Sequence, residues 1–175
     1  NSKPASPGGI WAAAYLGKSV AVDGAYTVAG APDYSSREAA SGVVKIFDSN
    51  SGALLFLIHN PSPADNDNFG VSVAISGTRV VVGALRDDEV ADDAGSAYVY
   101  DLTSKTPTVP VLTLNNPISV AGDNFGCSVA MFGPRVVVGA GGADTGGDDS
   151  GSAYVYDLET ATPAVPVATL NNPDP

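Results

Sequence analysis

The stretch DNFGVSVAISGTRVVVGA at Asp67–Ala84 returns as DNFGCSVAMFGPRVVVGA at Asp123–Ala140. The offset is 56 residues. The same offset relates GSAYVYDL at Gly95–Leu102 to Gly151–Leu158, and TLNNP at Thr113–Pro117 to Thr169–Pro173. Between Asp67–Ser119 and Asp123–Pro175, 35 of 53 ungapped positions are identical, which makes the repeat certain. A diverged copy lies upstream at an offset of 53. There Leu16-Gly17 stands for Phe69-Gly70, Val28–Pro32 for Val81–Leu85, and Gly42–Asp48 for Gly95–Asp101. The chain therefore divides into a lead segment, residues 1–15, and three repeats, residues 16–66, 67–122 and 123–175.

Each repeat reads as four strands. In the second, the spacing predicts Val71–Ile75, a tight turn at Ser76–Thr78, then Arg79–Ala84. An acidic loop, Leu85–Ala94, leads to Ser96–Asp101, and a Thr/Pro connection leads to Val109–Leu114. The second strand is apolar on both faces (Val80, Val81, Val82), whereas a half-exposed strand would alternate. A strand clamped between neighbouring sheets has no need to alternate, and blades of a β-propeller pack face to face in this way. Pro110 and Pro166 open the fourth strand and cannot donate to a ladder, so that strand is expected at the outer edge. The expected fold is all-β: tandem four-stranded antiparallel blades of a β-propeller, with the ring incomplete within one chain.

Composition agrees with a folded β-protein. Of 175 residues, 44% are hydrophobic and 15% charged, the reverse of a disordered chain. The 20 glycines and 13 prolines supply many turns. The net charge of −11 repels phosphate backbones and anionic headgroups, so neither nucleic acid nor a membrane surface is an expected partner. No apolar run approaches the roughly 20 residues of a membrane helix, which argues against membrane insertion. No signal-peptide pattern opens the chain, so a secreted form would be the mature one. Cys127 is the sole cysteine and rules out an intrachain disulfide.

The recurring FG dipeptide, short strand, tight turn and VVVGA strand resemble the FG-GAP repeat family. The elements are Phe69-Gly70 with Gly83-Ala84, Phe125-Gly126 with Gly139-Ala140, and Leu16-Gly17 with Gly30-Ala31-Pro32. The resemblance implies propeller blades like those of integrin α heads and of secreted bacterial proteins. It implies an extracellular or cell-surface home and a role in adhesion, binding or assembly, with a protein or glycan as a conceivable ligand. Many members bind calcium in a loop between the first two strands. The corresponding turns here (Asp23-Gly24, Ser76–Thr78, Phe132–Pro134) are too short, so that site is not carried over.

The acidic loop between the second and third strands is the foremost candidate site. Asp88, Asp92 and Asp93 align with Asp144, Asp148 and Asp149. Such carboxylates suit Ca²⁺, which takes about six to eight oxygen ligands. Against this stands the plainer reading of a solvated turn whose Asp side chains cap their own backbone. No cofactor is required on either reading. The first repeat has Ala39 and Ala40 at two of these positions, so no metal is expected there. Asp67 and Asp123 are expected to cap turns. Phe69 and Phe125 are expected to anchor the core between blades. Tyr98, Tyr100, Tyr154 and Tyr156 either stack a ligand or, as such residues usually do, pack between sheets. His59 is the sole histidine, and nothing near it suggests an activated serine. No catalytic motif appears, and the chain is expected not to be an enzyme. The alternative is the propeller portion of a secreted hydrolase or carbohydrate-binding protein.

Three blades fall short of the usual propeller minimum of about four. Two copies sharing a ring, further blades of a longer chain, or copies added end to end as a fibre would each cover the open faces. The fourth strand of the first repeat bears on this. Its residues Leu54, Leu55, Phe56, Leu57 and Ile58 carry neither proline nor charge, and such an edge invites pairing. It is expected to be an assembly edge, covered by the lead segment around Ile10-Trp11 or by a neighbouring chain.

Overall fold

The computed structural model describes residues 15–35, 40–144 and 150–173. Its twelve strands form three sheets. Blade 1 holds β1 (Ser19–Asp23), β2 (Tyr26–Ala31), β3 (Val43–Asp48) and β4 (Leu54–His59). Blade 2 holds β5 (Ser72–Ser76), β6 (Arg79–Ala84), β7 (Ser96–Asp101) and β8 (Leu112–Asn115). Blade 3 holds β9 (Phe125–Phe132), β10 (Arg135–Ala140), β11 (Ser152–Asp157) and β12 (Ala168–Asn171). In every blade the strands pair in chain order, all antiparallel. The tandem sheets are those of a β-propeller, and they do not close into a ring within the chain. Among the described residues there is no helix.

Local chemistry sets the first hairpin of each blade. The closing pairs Asp23↔Tyr26, Ser76↔Arg79 and Phe132↔Arg135 leave two-residue turns that begin with Gly24, Gly77 and Gly133. Each of these glycines has positive φ, as a two-residue hairpin turn with glycine leading demands. First strands of successive blades run beside one another, β1 against β5 and β5 against β9. Their turns are linked as well: Gly77 N donates to Asp23 Oδ2 at 2.6 Å and Gly133 N to Ser76 Oγ at 3.0 Å.

The core lies between the blades. Val28, Val44, Ile46 and Ile58 of blade 1 pack on Val80, Val82, Tyr98 and Tyr100 of blade 2. The opposite face of blade 2 (Val81, Ala97, Val99, Leu114) packs on Val136, Val138, Tyr154 and Tyr156 of blade 3. Thus β6 is buried on both faces, which explains its unbroken valines. A fully buried side chain of this size contributes about 1.5–3 kcal/mol. A single hydrogen bond adds only about 1 kcal/mol net, so apolar contact between blades dominates.

Two strand boundaries differ from expectation. The first strand of blade 2 is Ser72–Ser76, one residue later than predicted, because the knuckle described below holds Val71. The fourth is Leu112–Asn115, shorter than the predicted Val109–Leu114. Pro110 lacks an N–H and therefore precedes the ladder, whose first bond is Val111 N to Val99 O at 2.8 Å. The strand is an edge, as expected, since among the described residues β8 pairs only with β7.

Candidate functional site

The residues that recur most faithfully meet at the joints between blades. Asn68 and Asn124 each have φ of 55°, and Gly70 and Gly126 have φ of 88° and 89°. The left-handed residues flanking Phe69 and Phe125 fold each Asn-Phe-Gly into a knuckle. The knuckle is closed by Val71 N donating to Asn68 O at 3.0 Å and Cys127 N to Asn124 O at 3.1 Å. It presents its glycine carbonyl to the preceding blade. Ser19 Oγ donates to Gly70 O, and Ser72 Oγ to Gly126 O, both at 2.7 Å. A Cβ placed on Gly30 or Gly83 would stand 2.0 Å from the same carbonyl oxygens. One on Gly42 or Gly95 would stand 2.1 Å from the carbonyl oxygen of Phe69 or Phe125. These glycines are small because the next blade's backbone occupies the space a side chain would need. Main-chain bonds complete the seat: Phe69 N to Ser41 O at 3.3 Å and Phe125 N to Ala94 O at 2.9 Å.

Each phenylalanine also faces its own third strand. Phe69 lies 5.8 Å from Tyr98 and 6.3 Å from Tyr100 between ring centroids, and Phe125 lies 5.8 and 6.4 Å from Tyr154 and Tyr156. The tilted and edge-on geometries are those aromatic quadrupoles favour. All four tyrosines are buried, so they pack between sheets rather than stack on a ligand.

The family model for the FG-GAP repeat matches residues 60–100 and 119–156, the spans that carry these knuckles and strands. Residues 60–100 and 119–156 are FG-GAP repeats. No curated protein matches the chain. The first repeat joins the other two through geometry: Tyr15 and Gly17 have φ of 45° and 92°, and Lys18 N donates to Tyr15 O at 3.0 Å. Its knuckle has the same backbone turn with leucine in place of phenylalanine.

On the outer faces of blades 1 and 3 the residues that match the joint positions are more exposed. Ser128, Gly139 and Gly151 occupy in blade 3 the places of Ser72, Gly83 and Gly95. A Cβ on Gly139 would meet only Ser128 and Cys127 side chains. Leu170 is 55% exposed where Leu114 is fully buried. On blade 1, Val20 and Val22 are 67% exposed where Val73 and Ile75 are buried. Cys127 of blade 3 is half-buried, its Sγ 3.5 Å from Gly139 O.

The carboxylates fall into two classes. Asp67 accepts from Ala64 N and Asn60 Nδ2, both at 2.6 Å, and Asp123 accepts from Asn116 Nδ2 at 2.6 Å. They cap the link between blades, as expected. Asp87 is buried and accepts the Tyr98 hydroxyl proton at 2.5 Å. Desolvation raises the carboxyl pKa of Asp87 and Asp67, and it raises the Tyr98 hydroxyl as well, with the Asp87 hydrogen bond adding to it. The Asp87–Tyr98 pair is unique to blade 2, since Ala143 stands at the matching place in blade 3. The sequence reading did not single it out, because Asp87 was one acid among several in a loop.

Of the candidate metal ligands, Asp88, Asp92, Asp93 and Asp144 are exposed. Asp88 Oδ1 accepts Asp93 N at 2.6 Å and closes its own loop. Asp93 has φ of 52°, and its carbonyl accepts Asn124 N at 3.1 Å. In blade 1, Ala40 has φ of 53° and its carbonyl accepts Asn68 N at 3.2 Å. The left-handed residue and its bond to the next knuckle therefore occur without the carboxylate. Asp148 and Asp149 lie outside the described residues. Among the described residues, no group of three or more His, Cys, Asp or Glu is placed to hold a metal ion.

Among the described residues the β4 edge pairs only with β3. Ile58 is buried and Phe56 half-buried against the core, while Leu54, Leu55 and Leu57 are exposed at 52%, 43% and 38%. Ile10 and Trp11, expected to cover them, lie outside the described residues. His59 sits exposed at the end of this strand.

Proposed function

We propose that this FG-GAP module is a non-catalytic, extracellular β-propeller unit that acts in binding and structural assembly through the faces of its outer blades. One observation carries the reading: the apolar positions that bury themselves at the two internal joints are solvent-exposed on the two outer faces. Val20, Val22 and Leu170 are exposed where Val73, Ile75 and Leu114 are buried. A blade is thus built to be covered on both sides, and exposed apolar faces bounded by polar turns mark interaction surfaces. The extracellular setting is supported by the resemblance to secreted FG-GAP proteins, and the non-catalytic role by the residues at the joints. Those side chains are spent on packing and on backbone seating.

Negative-stain electron microscopy of the purified protein over a concentration series tests this. Rings or filaments larger than one 17.5 kDa chain are the expected result. Single particles at every concentration, with sedimentation giving one chain, would overturn it.

A further inference from the structure

We infer that blade 3 binds a hard divalent cation between Asp123, on the link from blade 2, and Asp144, in the loop from β10 to β11. The site is independent of the assembly reading.

Asp123 is 1% exposed, and its two side-chain oxygens fare differently. Oδ2 accepts Asn116 Nδ2 at 2.6 Å. Oδ1 is buried and has no hydrogen-bond partner. An ionised carboxylate can only accept, and a buried oxygen left unanswered is costly. Among the described residues no basic side chain pairs with Asp123, and Arg135 of the same blade is taken by Asp157 at 3.3 Å. An orphaned buried oxygen of this kind points to a bound water or ion.

Space for an ion lies beside it. Asp123, Asp144, Ile118 and Val120 line a cavity of about 250 Å³. A water takes about 30 Å³ in the liquid, so a cation can enter with several waters of its shell. Charge decides between a cation and water alone. Two carboxylates line one cavity, and water leaves their repulsion in place, whereas a divalent cation cancels it. The apolar walls of Ile118 and Val120 strengthen that attraction by keeping screening solvent away. Two carboxylates completed by water oxygens suit Ca²⁺, whose shell is all oxygen and loose in geometry.

The orphaned oxygen does not depend on what adjoins blade 3. Asp67, the counterpart of Asp123, is also 1% exposed, with Oδ1 buried and unpartnered, in a blade that has another on each side. Asp88, the counterpart of Asp144, is exposed there as well. The residues that line the cavity belong to blade 3's own loop and to the link before it. Blade 2 differs in one respect. The buried Asp87, held by the Tyr98 hydroxyl, stands where blade 3 has Ala143. The charges of Asp87 and Asp88 add to the burial that raises the Asp67 carboxyl, which favours a proton there. Ala143 leaves blade 3 with two carboxylates, whose joint charge a divalent cation matches.

Calcium titration of the purified chain, first stripped with EGTA, tests the site. Ca²⁺ should bind in calorimetry and raise the melting temperature, because it binds the folded form. Tb³⁺, which takes the same oxygen ligands, should emit when excited through tyrosine, and excess Ca²⁺ should abolish the emission. Tyr154 is the near donor: burial raises its hydroxyl and the charge of Asp123 raises it further. Asp144→Ala removes an exposed ligand and should weaken Ca²⁺ binding about tenfold or more, since affinity follows the charge of the ligand set. Asp123→Asn keeps an acceptor for Asn116 and should weaken it as much. Should that variant fail to fold, Asp144→Ala decides alone. Glu159→Ala removes the same charge beyond the far end of β11 and should leave binding unchanged. A wild type that neither binds Ca²⁺ nor sensitises Tb³⁺ would overturn the site and leave Oδ1 to a buried water. Binding that survives Asp144→Ala, or that Glu159→Ala weakens equally, would overturn it too, because net charge and not this pair would then hold the cation.

Discussion

Asn124 shows how much one dihedral angle decides. Its φ of 55° is open to glycine and tolerated by asparagine, whose short polar side chain bonds locally, here to Gly122 O. Asn124→Ala should destabilise the fold by about 1 kcal/mol, and Asn124→Gly by much less. Urea unfolding of the two variants decides this. If both lose the same amount, the asparagine side chain matters and the dihedral does not. Asp87 makes the corresponding case for charge. Its carboxyl is raised by burial, so the folded chain keeps that proton at a pH where the unfolded chain has released it. Over that window stability falls as pH rises, and it is greatest below the ordinary carboxyl range. Asp48 and Asp101 shift the other way, lowered first by the hydroxyls of Ser51 and Thr103, and the whole-protein profile blends both trends. The variant Asp87→Asn isolates the first. It keeps an acceptor for Tyr98 and cannot ionise. Its melting temperature should exceed that of wild type at neutral pH, and the difference should close on acidification. Tyr98→Phe should do the opposite, costing about 1–3 kcal/mol at neutral pH by taking from the buried Asp87 Oδ2 its hydrogen bond and leaving Oδ1 with Glu89 N alone. Thermal melts across pH would refute the account if the two variants behaved alike.

At the scale of the strand and its turn, the glycines of the second strands are the sharpest test of blade seating. Gly83 and Gly139 are equivalent in sequence, and neither needs a left-handed backbone. Gly83→Ala would drive a methyl into the Gly126 carbonyl and force blades 2 and 3 apart, an overpacking effect of about 1–3 kcal/mol or more. Gly139→Ala meets only the hydroxyl end of Ser128, which can turn away, and should cost well under 1 kcal/mol in dilute solution. Equal losses in chemical denaturation would show that the seat is not what these glycines serve. The four-strand blade, its order and its doubly buried second strand were legible in the sequence. The unbroken valines of Val80–Val82, the paired turns and the repeat offset all bear directly on period and pairing. The fourth strand came out too long because Val109 and Val111 read as β-formers, while the missing N–H of Pro110 sets the true start. The seat itself was less visible. Ser72, Gly83 and Gly95 recur in every copy, but Ser72 acts on a backbone oxygen 54 residues away, as Ser19 does on one 51 residues away. A strand pattern does not encode such a contact. The Asp87–Tyr98 pair was hidden because the sequence shows charge and not burial.

For the whole molecule the balance is between apolar faces and like charge. Every copy carries a net charge of −11, so two copies repel at the approach distances where no contact has yet formed. The outer faces are mainly apolar, with Leu16, Val20 and Val22 on blade 1 and Phe132, Val137 and Leu170 on blade 3, and Lys45 at the place of Tyr98 on the blade 1 face. Salt therefore acts mainly on the repulsion between copies. At about 0.15 M ionic strength the screening length is about 8 Å, and it shortens further with added salt. Association should strengthen several-fold between about 0.02 and 0.5 M NaCl. Because binding to the folded form raises stability by mass action, the melting temperature of the wild type should also rise with protein concentration, more steeply at high salt. Leu16→Asp should show neither trend. Sedimentation and melting over a grid of salt and protein concentration measure both. Association that weakens with salt would mean that the copies meet through paired charges on the turns, and the blade faces would then be left without a partner.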